Sequence, residues 1–184
     1  MFRVRILGED RLSERFLRRL CEQHGVVVLD VTVSPKGRGS ASDWVVGRYP
    51  DMVRQRRSKN FQTNLGLLVH IDGDNLGVQA RKAALEAKLR ESELPPREAA
   101  EAVATLVPTW CIETWLLYLA GIAQPAEDVQ LKRDPDHGYR DALKQLESLG
   151  AVGIQQAAHA WRSLDPAPPS LVDGRAEAAR VGIQ

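Results

Sequence analysis

The sequence predicts an α/β fold: a mainly parallel four-stranded sheet flanked by helices, with a helical C-terminal extension. Three observations carry this. Apolar runs of strand length alternate four times with stretches of helical periodicity before residue 121. Glycine and proline punctuate the joins, at Gly25, Pro95-Pro96, Pro108 and Gly121. Beyond that point helical patterns follow one another without a further strand. The chain therefore divides into an α/β domain, residues 1–121, and a helical extension, residues 122–184, packed on the same domain.

Phe2 to Leu7 alternates in the strand manner, with Val4 and Ile6 set apart from Arg3 and Arg5. Gly8-Glu9-Asp10 interrupts it, and a helix follows with Phe16, Leu17 and Leu20 on one face and arginines on the other. Gly25 closes that helix, and Val26 to Val33, with its continuous VVVL run, reads as a strand buried on both faces. After the loop SPKGRGSAS, Ser40 or Ser42 caps a helix carrying Trp44, Val45, Tyr49, Met52 and Val53. Leu65 to Ile71 is the most apolar strand and ends in Asp72-Gly73-Asp74-Asn75. A helix from Val78 to Glu91 stops before Pro95-Pro96, and Ala102 to Val107 is the fourth strand. Thr109 then caps a short apolar helix, Trp110 to Leu119. The extension holds helices over Tyr139 to Leu149, Ile154 to Leu164 and Gly174 to Val181.

Composition narrows the function. The 184 residues are 43% hydrophobic and 27% charged, enough to bury a core. No apolar run approaches the length of a membrane span, and MFRVRILGEDR has no signal-peptide pattern, so a cytoplasmic protein is expected. Two cysteines, Cys21 and Cys111, are too few for a four-cysteine zinc site and read as reduced core residues. There is no GxxxxGK[ST], GxGxxG or GxSxG, which argues against an intrinsic ATPase, a dinucleotide site or a hydrolase triad. The net charge of +1 hides an asymmetry: residues 1–66 hold 13 Lys/Arg against 7 Asp/Glu. Lys36, Arg38, Arg48, Arg54, Arg56, Arg57 and Lys59 concentrate it, as a polyanion-binding face or a solvated helix face would.

In open α/β sheets ligands bind beyond the carboxyl ends of the strands. Glu9 and Asp10 follow the first strand, Asp72 and Asp74 the third, and Glu113 lies shortly after the fourth. Asp72 and Asp74, two apart, point to one side if the strand continues. Carboxylates about 4 Å apart repel by roughly 1 kcal/mol in water and about 4 at an effective dielectric near 20, so a cluster asks for a cation or a shared proton. Oxygen ligands favour Mg²⁺ or Mn²⁺. Gly73 would let a phosphate approach the backbone. The competing reading of DGDN is a plain turn, and Glu113 could equally pair with an arginine. His70 and the tryptophans at 110 and 115 read as core residues, and His137 as part of a turn.

The segments ILGEDRLSERFLRRL and LGLLVHIDGDN resemble the Toprim domain, the catalytic domain of topoisomerases, primases and OLD-type nucleases. VPTWCIETWLLYLAG is similar to a Glu-x-Trp segment of small solo Toprim-like proteins, several linked to anti-phage defence. The resemblance covers about residues 1–121. It implies a metal-dependent nuclease in which Glu9, Asp72 and Asp74 bind Mg²⁺ or Mn²⁺ and Glu113 assists. Where many Toprim domains carry Glu-Gly, this chain has Gly8-Glu9-Asp10, so either acid can face the metal. Lys36, Arg38, Arg54, Arg56, Arg57 and Lys59 would then hold nucleic-acid phosphates, DNA foremost. A separate ATPase partner is implied, no membrane is, and a homo-oligomer is left open. Two alternatives stand beside this: a haloacid-dehalogenase-like phosphatase with Asp72 as nucleophile, and a non-catalytic Toprim-fold module binding nucleic acid or protein.

Overall fold

The computed structural model describes residues 1–37, 39–131 and 138–184; Arg38 and His137 lie outside them. Four strands, β1 (Arg3–Gly8), β2 (Val27–Val33), β3 (Leu65–His70) and β4 (Val103–Leu106), form one sheet in the order β2-β1-β3-β4. All three pairings are parallel. Parallel strands need crossovers, and each is a helix: α1 (Arg11–Gln23), α2 (Ala41–Arg57) and α3 (Gly77–Glu91). After β4 come α4 (Ile112–Leu119), α5 (Tyr139–Leu149), α6 (Ala151–Ala160) and α7 (Pro169–Ala179).

The helices divide between the two faces. Phe16, Leu17 and Leu20 of α1 pack with Trp115 and Leu116 of α4 on Val4, Ile6 and Leu68. Val45, Tyr49 and Met52 of α2 pack with Leu85 and Leu89 of α3 on Leu7, Leu67 and Val69. The strand period of two thus feeds two cores. From β1 the chain steps to β2 on one side, and from β3 to β4 on the other. The strand order therefore reverses between the carboxyl ends of β1 and β3, the crevice where α/β sheets bind ligands.

The C-terminal helices close one edge of the sheet. β4 is an edge strand, and α7 lies beside it. The Thr105 N–H, which no strand can take, donates to Glu177 Oε2 at 3.0 Å. Glu177 also pairs with Arg97 and, at 3.5 Å, with Lys82. Gly174 lets α7 seat on the Trp115 ring, where a Cβ would lie 2.5 Å from a ring carbon. The Trp115 indole donates to Ser170 Oγ at 2.8 Å, and Trp161 stacks edge-on against Trp115. Residues 157–183 thereby contribute Ala157, Trp161, Leu171, Ala178 and Ile183 to the core that also holds β1 and β3 residues.

Several expectations change. β2 is an edge strand with Val27 and Leu29 exposed, not a strand buried on both faces. Its register slips by one residue between Val4 and Arg5, leaving Leu29 without a partner on β1, a bulge of the kind that blunts open edges. α4 begins at Ile112 rather than Trp110, with Cys111 as the flanking residue. Residues 108–110 stay out of the helix because the carbonyls of Pro108 and Trp110 accept from Gly73 N and Asp74 N. α6 covers 151–160 rather than 154–164, set off from α5 by Gly150 at φ 49°. α7 starts five residues before Gly174, because Pro169 fits the first helical turn, where its missing N–H is not needed. Both cysteines are buried, and burial pushes the Cys21 thiol up to about 12.

Candidate functional site

Glu9 is the residue after β1, and Asp72 lies two past β3, so adjacent strands deliver them to the switch point. They touch: Asp72 N donates to Glu9 Oε1 at 2.8 Å. Burial is the main influence on both. It pushes the Glu9 carboxyl up to about 7, a rise that the Asp72 N–H opposes and the Asp74 charge reinforces. Asp72 is also raised well above the carboxylate range, first by burial and then by the negative charges of Glu9, Glu113, Asp10 and Asp74. Four acids from three chain segments thus act on one half-buried aspartate.

Asp72 is held in place by the loop after β4. Its Oδ1 accepts from Ile112 N, the first helical residue of α4, at 3.1 Å. The carboxylate stands at the positive end of that helix. Gly73 is where the two loops lock: a Cβ there would sit 2.2 Å from the Thr109 carbonyl oxygen and 2.6 Å from that of Pro108. This packing by itself requires a glycine here. DGDN is more than a plain turn, since Gly73 N and Asp74 N bond across to Pro108 and Trp110.

Asp72 and Asp74 are not successive positions of one strand. β3 ends at His70, and Asp74 adopts the left-handed region at φ 47°, which aspartate tolerates better than most residues. Its Oδ2 accepts from Arg81 of α3 at 3.1 Å, while the same guanidinium donates through Nε to the Asp72 carbonyl at 2.9 Å. Arg81 is buried and clamps the turn. Sequence reading missed it; the one signal was its position on the inner side of the helix that follows DGDN.

Glu9 and Asp10 are held differently. Asp10 accepts from Ser13 N at 2.8 Å and, with Ser13, forms a capping box at the start of α1. Glu9 is the acid that contacts Asp72, while Asp10 lines the rim pocket beside it. Glu113 sits in the first turn of α4, half-buried. Its charge acts on both Asp72 and His70, and it lines a neighbouring pocket of about 390 Å³ with Leu12, Arg15, Leu143 and Ile154.

His70 differs from a satisfied core histidine. It is 1% exposed, yet neither ring nitrogen has a hydrogen-bond partner. Nε2 faces Asp72 Oδ1 at 3.6 Å, beyond hydrogen-bond range.

The basic residues separate into two groups. Lys36, exposed on the β2–α2 loop, lines a rim pocket of about 350 Å³ together with Glu9, Asp10 and Arg11. Arg54, Arg56, Arg57 and Lys59 lie elsewhere. α2 starts just after the carboxyl end of β2 and runs back for 17 residues, about 25 Å, to the amino edge of the sheet. There Arg57 chelates Glu101 and donates to the carbonyls of Pro95 and Pro96. Arg54 pairs with Asp51, and Arg56 with Asn60. As a face flanking the acids, these four residues are corrected: helix direction carries them to the other end. Arg54, Arg56 and Arg57 stand in the last turn of α2 and complement its dipole instead.

For a divalent ion, the donor set suits hard cations, since Glu9, Asp72 and Asp74 offer oxygen only. Burial is the first cause of the raised proton affinity of Glu9 and Asp72, and neighbouring acids add to it. As the side chains stand, no three His, Cys, Asp or Glu among the described residues converge as an ion-holding group, and Arg81 engages Asp74. Among the described residues, no helix is long and apolar enough to cross a membrane.

Comparison with family models, with curated proteins and with solved structures finds no match to this chain.

Proposed function

We propose that the switch-point acids form a divalent-metal site for phosphoryl transfer, and that the protein is a nuclease of the Toprim type acting on nucleic-acid phosphodiesters. The observation that carries this reading is the meeting of Glu9 and Asp72. They are 63 residues apart in sequence, touch through the Asp72 N–H, and stand half-buried among further acids, the burial first and the acids second raising their proton affinity. Packing alone gives no reason to gather like charges where ligands bind, and perturbed carboxyls in such a crevice mark functional sites.

Glu9, Asp72 and Asp74 would hold Mg²⁺ or Mn²⁺, which supplies Lewis-acid stabilisation of the phosphate and an activated water. The chain does the rest. Ile112 N fixes the Asp72 carboxylate, and Arg81 sets the Asp74 turn. Glu9 accepts the Asp72 N–H through Oε1, which orients its carboxylate at the crevice. Lys36 at the rim supplies a cation for a flanking phosphate. A separate ATPase partner and a role in anti-phage defence extend the same reading.

A second reading, a non-catalytic module of the same fold, draws on one observation: Arg81 already neutralises Asp74. A plasmid-nicking assay separates the two. The enzyme reading expects nicking with Mn²⁺, none with EDTA, and none from Asp72→Asn. Nucleic-acid binding that ignores metal, without nicking, supports the module.

A further inference from the structure

His70 is the group in this crevice that the reading above leaves without a task. It sits at the end of β3 on the side of Leu68, so the strand period of two turns it toward the α1 and α4 layer, beneath Asp72. It is sealed from solvent with both ring nitrogens unpartnered. Leaving a buried polar group unsatisfied costs about 1–3 kcal/mol, and a leucine in its place would remove that penalty. Such a group calls for a compensating role. Its surroundings name one: Nε2 is 3.6 Å from Asp72 Oδ1, the oxygen that also accepts from Ile112 N.

We propose that His70 is a positioning residue of the metal site, its Nε2–H and the Ile112 N–H together holding Asp72 Oδ1 so that the other carboxylate oxygen is the one presented to the ion. The inference rests on the metal reading given above. An imidazole always carries an N–H, and at Nε2 that donor faces the Asp72 oxygen across the 3.6 Å gap. A closure of about 0.5 Å brings Nε2 into hydrogen-bond range. Carboxylate ligands are commonly oriented by such a second contact, and its loss typically lowers metal affinity about 10–100-fold.

The test is Mn²⁺ affinity by isothermal titration calorimetry, with metal-free melting temperature measured in parallel, on the full chain and three variants. His70→Gln can place an N–H near the Nε2 position; His70→Asn places it near Nδ1; His70→Leu has none. The expected result is affinity near wild type for the glutamine variant and a loss of about 10–100-fold for asparagine and leucine. The leucine variant should melt no lower than wild type without metal. Equal Mn²⁺ affinity in wild type and leucine overturns the role. Should the leucine variant fail to fold, equal affinity of the glutamine and asparagine variants overturns it instead. A wild-type protein that binds no Mn²⁺ removes the metal reading itself, and this inference with it.

Discussion

Two regions of the molecule gather buried charge, and they do so in opposite ways. At the β4 edge, Glu177 meets Arg97, Lys82 and the Thr105 N–H, and these partners hold its carboxyl below the usual carboxylate range despite burial. Close by, Arg57 does the same for Glu101. At the switch point, burial raises Glu9 and Asp72, and the neighbouring acids raise them further. The first region is finished by its own cations and serves the fold. The second is left short of positive charge and is strung between loops, where a ligand can complete it. Charge balance separates a structural ion network from a candidate site better than charge density does.

The largest expected effect lies in the completed region. Glu177→Ala strips partners from Arg97, Lys82 and the Thr105 N–H at once. It should destabilise by about 3–5 kcal/mol, read by urea denaturation. A loss below about 1 kcal/mol would show that the edge is not sealed by this carboxylate. Gly73→Ala drives a Cβ into the Thr109 and Pro108 carbonyls. The expected loss is about 1–3 kcal/mol or more, together with displacement of Asp72.

At the uncompleted region the sign reverses. Asp72→Asn keeps an oxygen for the Ile112 N–H and removes a carboxylate whose charged form burial and neighbouring acids disfavour, so the metal-free protein at pH 7 should be at least as stable as wild type in denaturant titration. Glu9 makes the pH dependence explicit. Its folded proton affinity is raised, so between about pH 4.5 and 7 the native state holds a proton that the unfolded chain has lost. Metal-free stability is greatest below that window and falls as pH rises through it, by about 1–2 kcal/mol after allowance for solvent screening. Asp72 acts in the same direction, with Asp10, Asp74 and Arg81 facing the pair. The slope should shrink in Glu9→Gln, which keeps the acceptor for the Asp72 N–H.

The smallest effects sharpen the split among the basic residues. Arg54→Ala or Lys59→Ala should change stability by less than about 0.5 kcal/mol and leave nucleic-acid binding nearly unchanged. Lys36→Ala should weaken binding and lower its salt slope by about 1. The reverse pattern would return the phosphate-binding face to α2.

Most of the architecture was legible, because the strand–helix alternation and the Gly and Pro stops are local signals that packing only confirms. β2 was misjudged because Val26 to Leu29 looks the same at an edge as in the centre; strand order is a tertiary property. The starts of α4 and α7 were misjudged because partner loops and a proline decided them. Of the site, Glu9 and Asp72 could be read as acids closing apolar strands. The setting of Asp74 could not, since it depends on a left-handed residue and on Arg81 arriving from α3. The distance between Lys36 and Arg57 follows from the direction of α2, which the alternation already implied.

The central claim is that the Glu9–Asp72 pair is a place for a divalent ion. Calorimetric titration of the wild type and Asp72→Asn with Mn²⁺, beside their melting temperatures, tests it most directly. The account predicts saturable binding by the wild type and a loss of at least about 10-fold in a variant that melts as high or higher. Equal Mn²⁺ affinity in the two proteins, or no binding by the wild type, would contradict it.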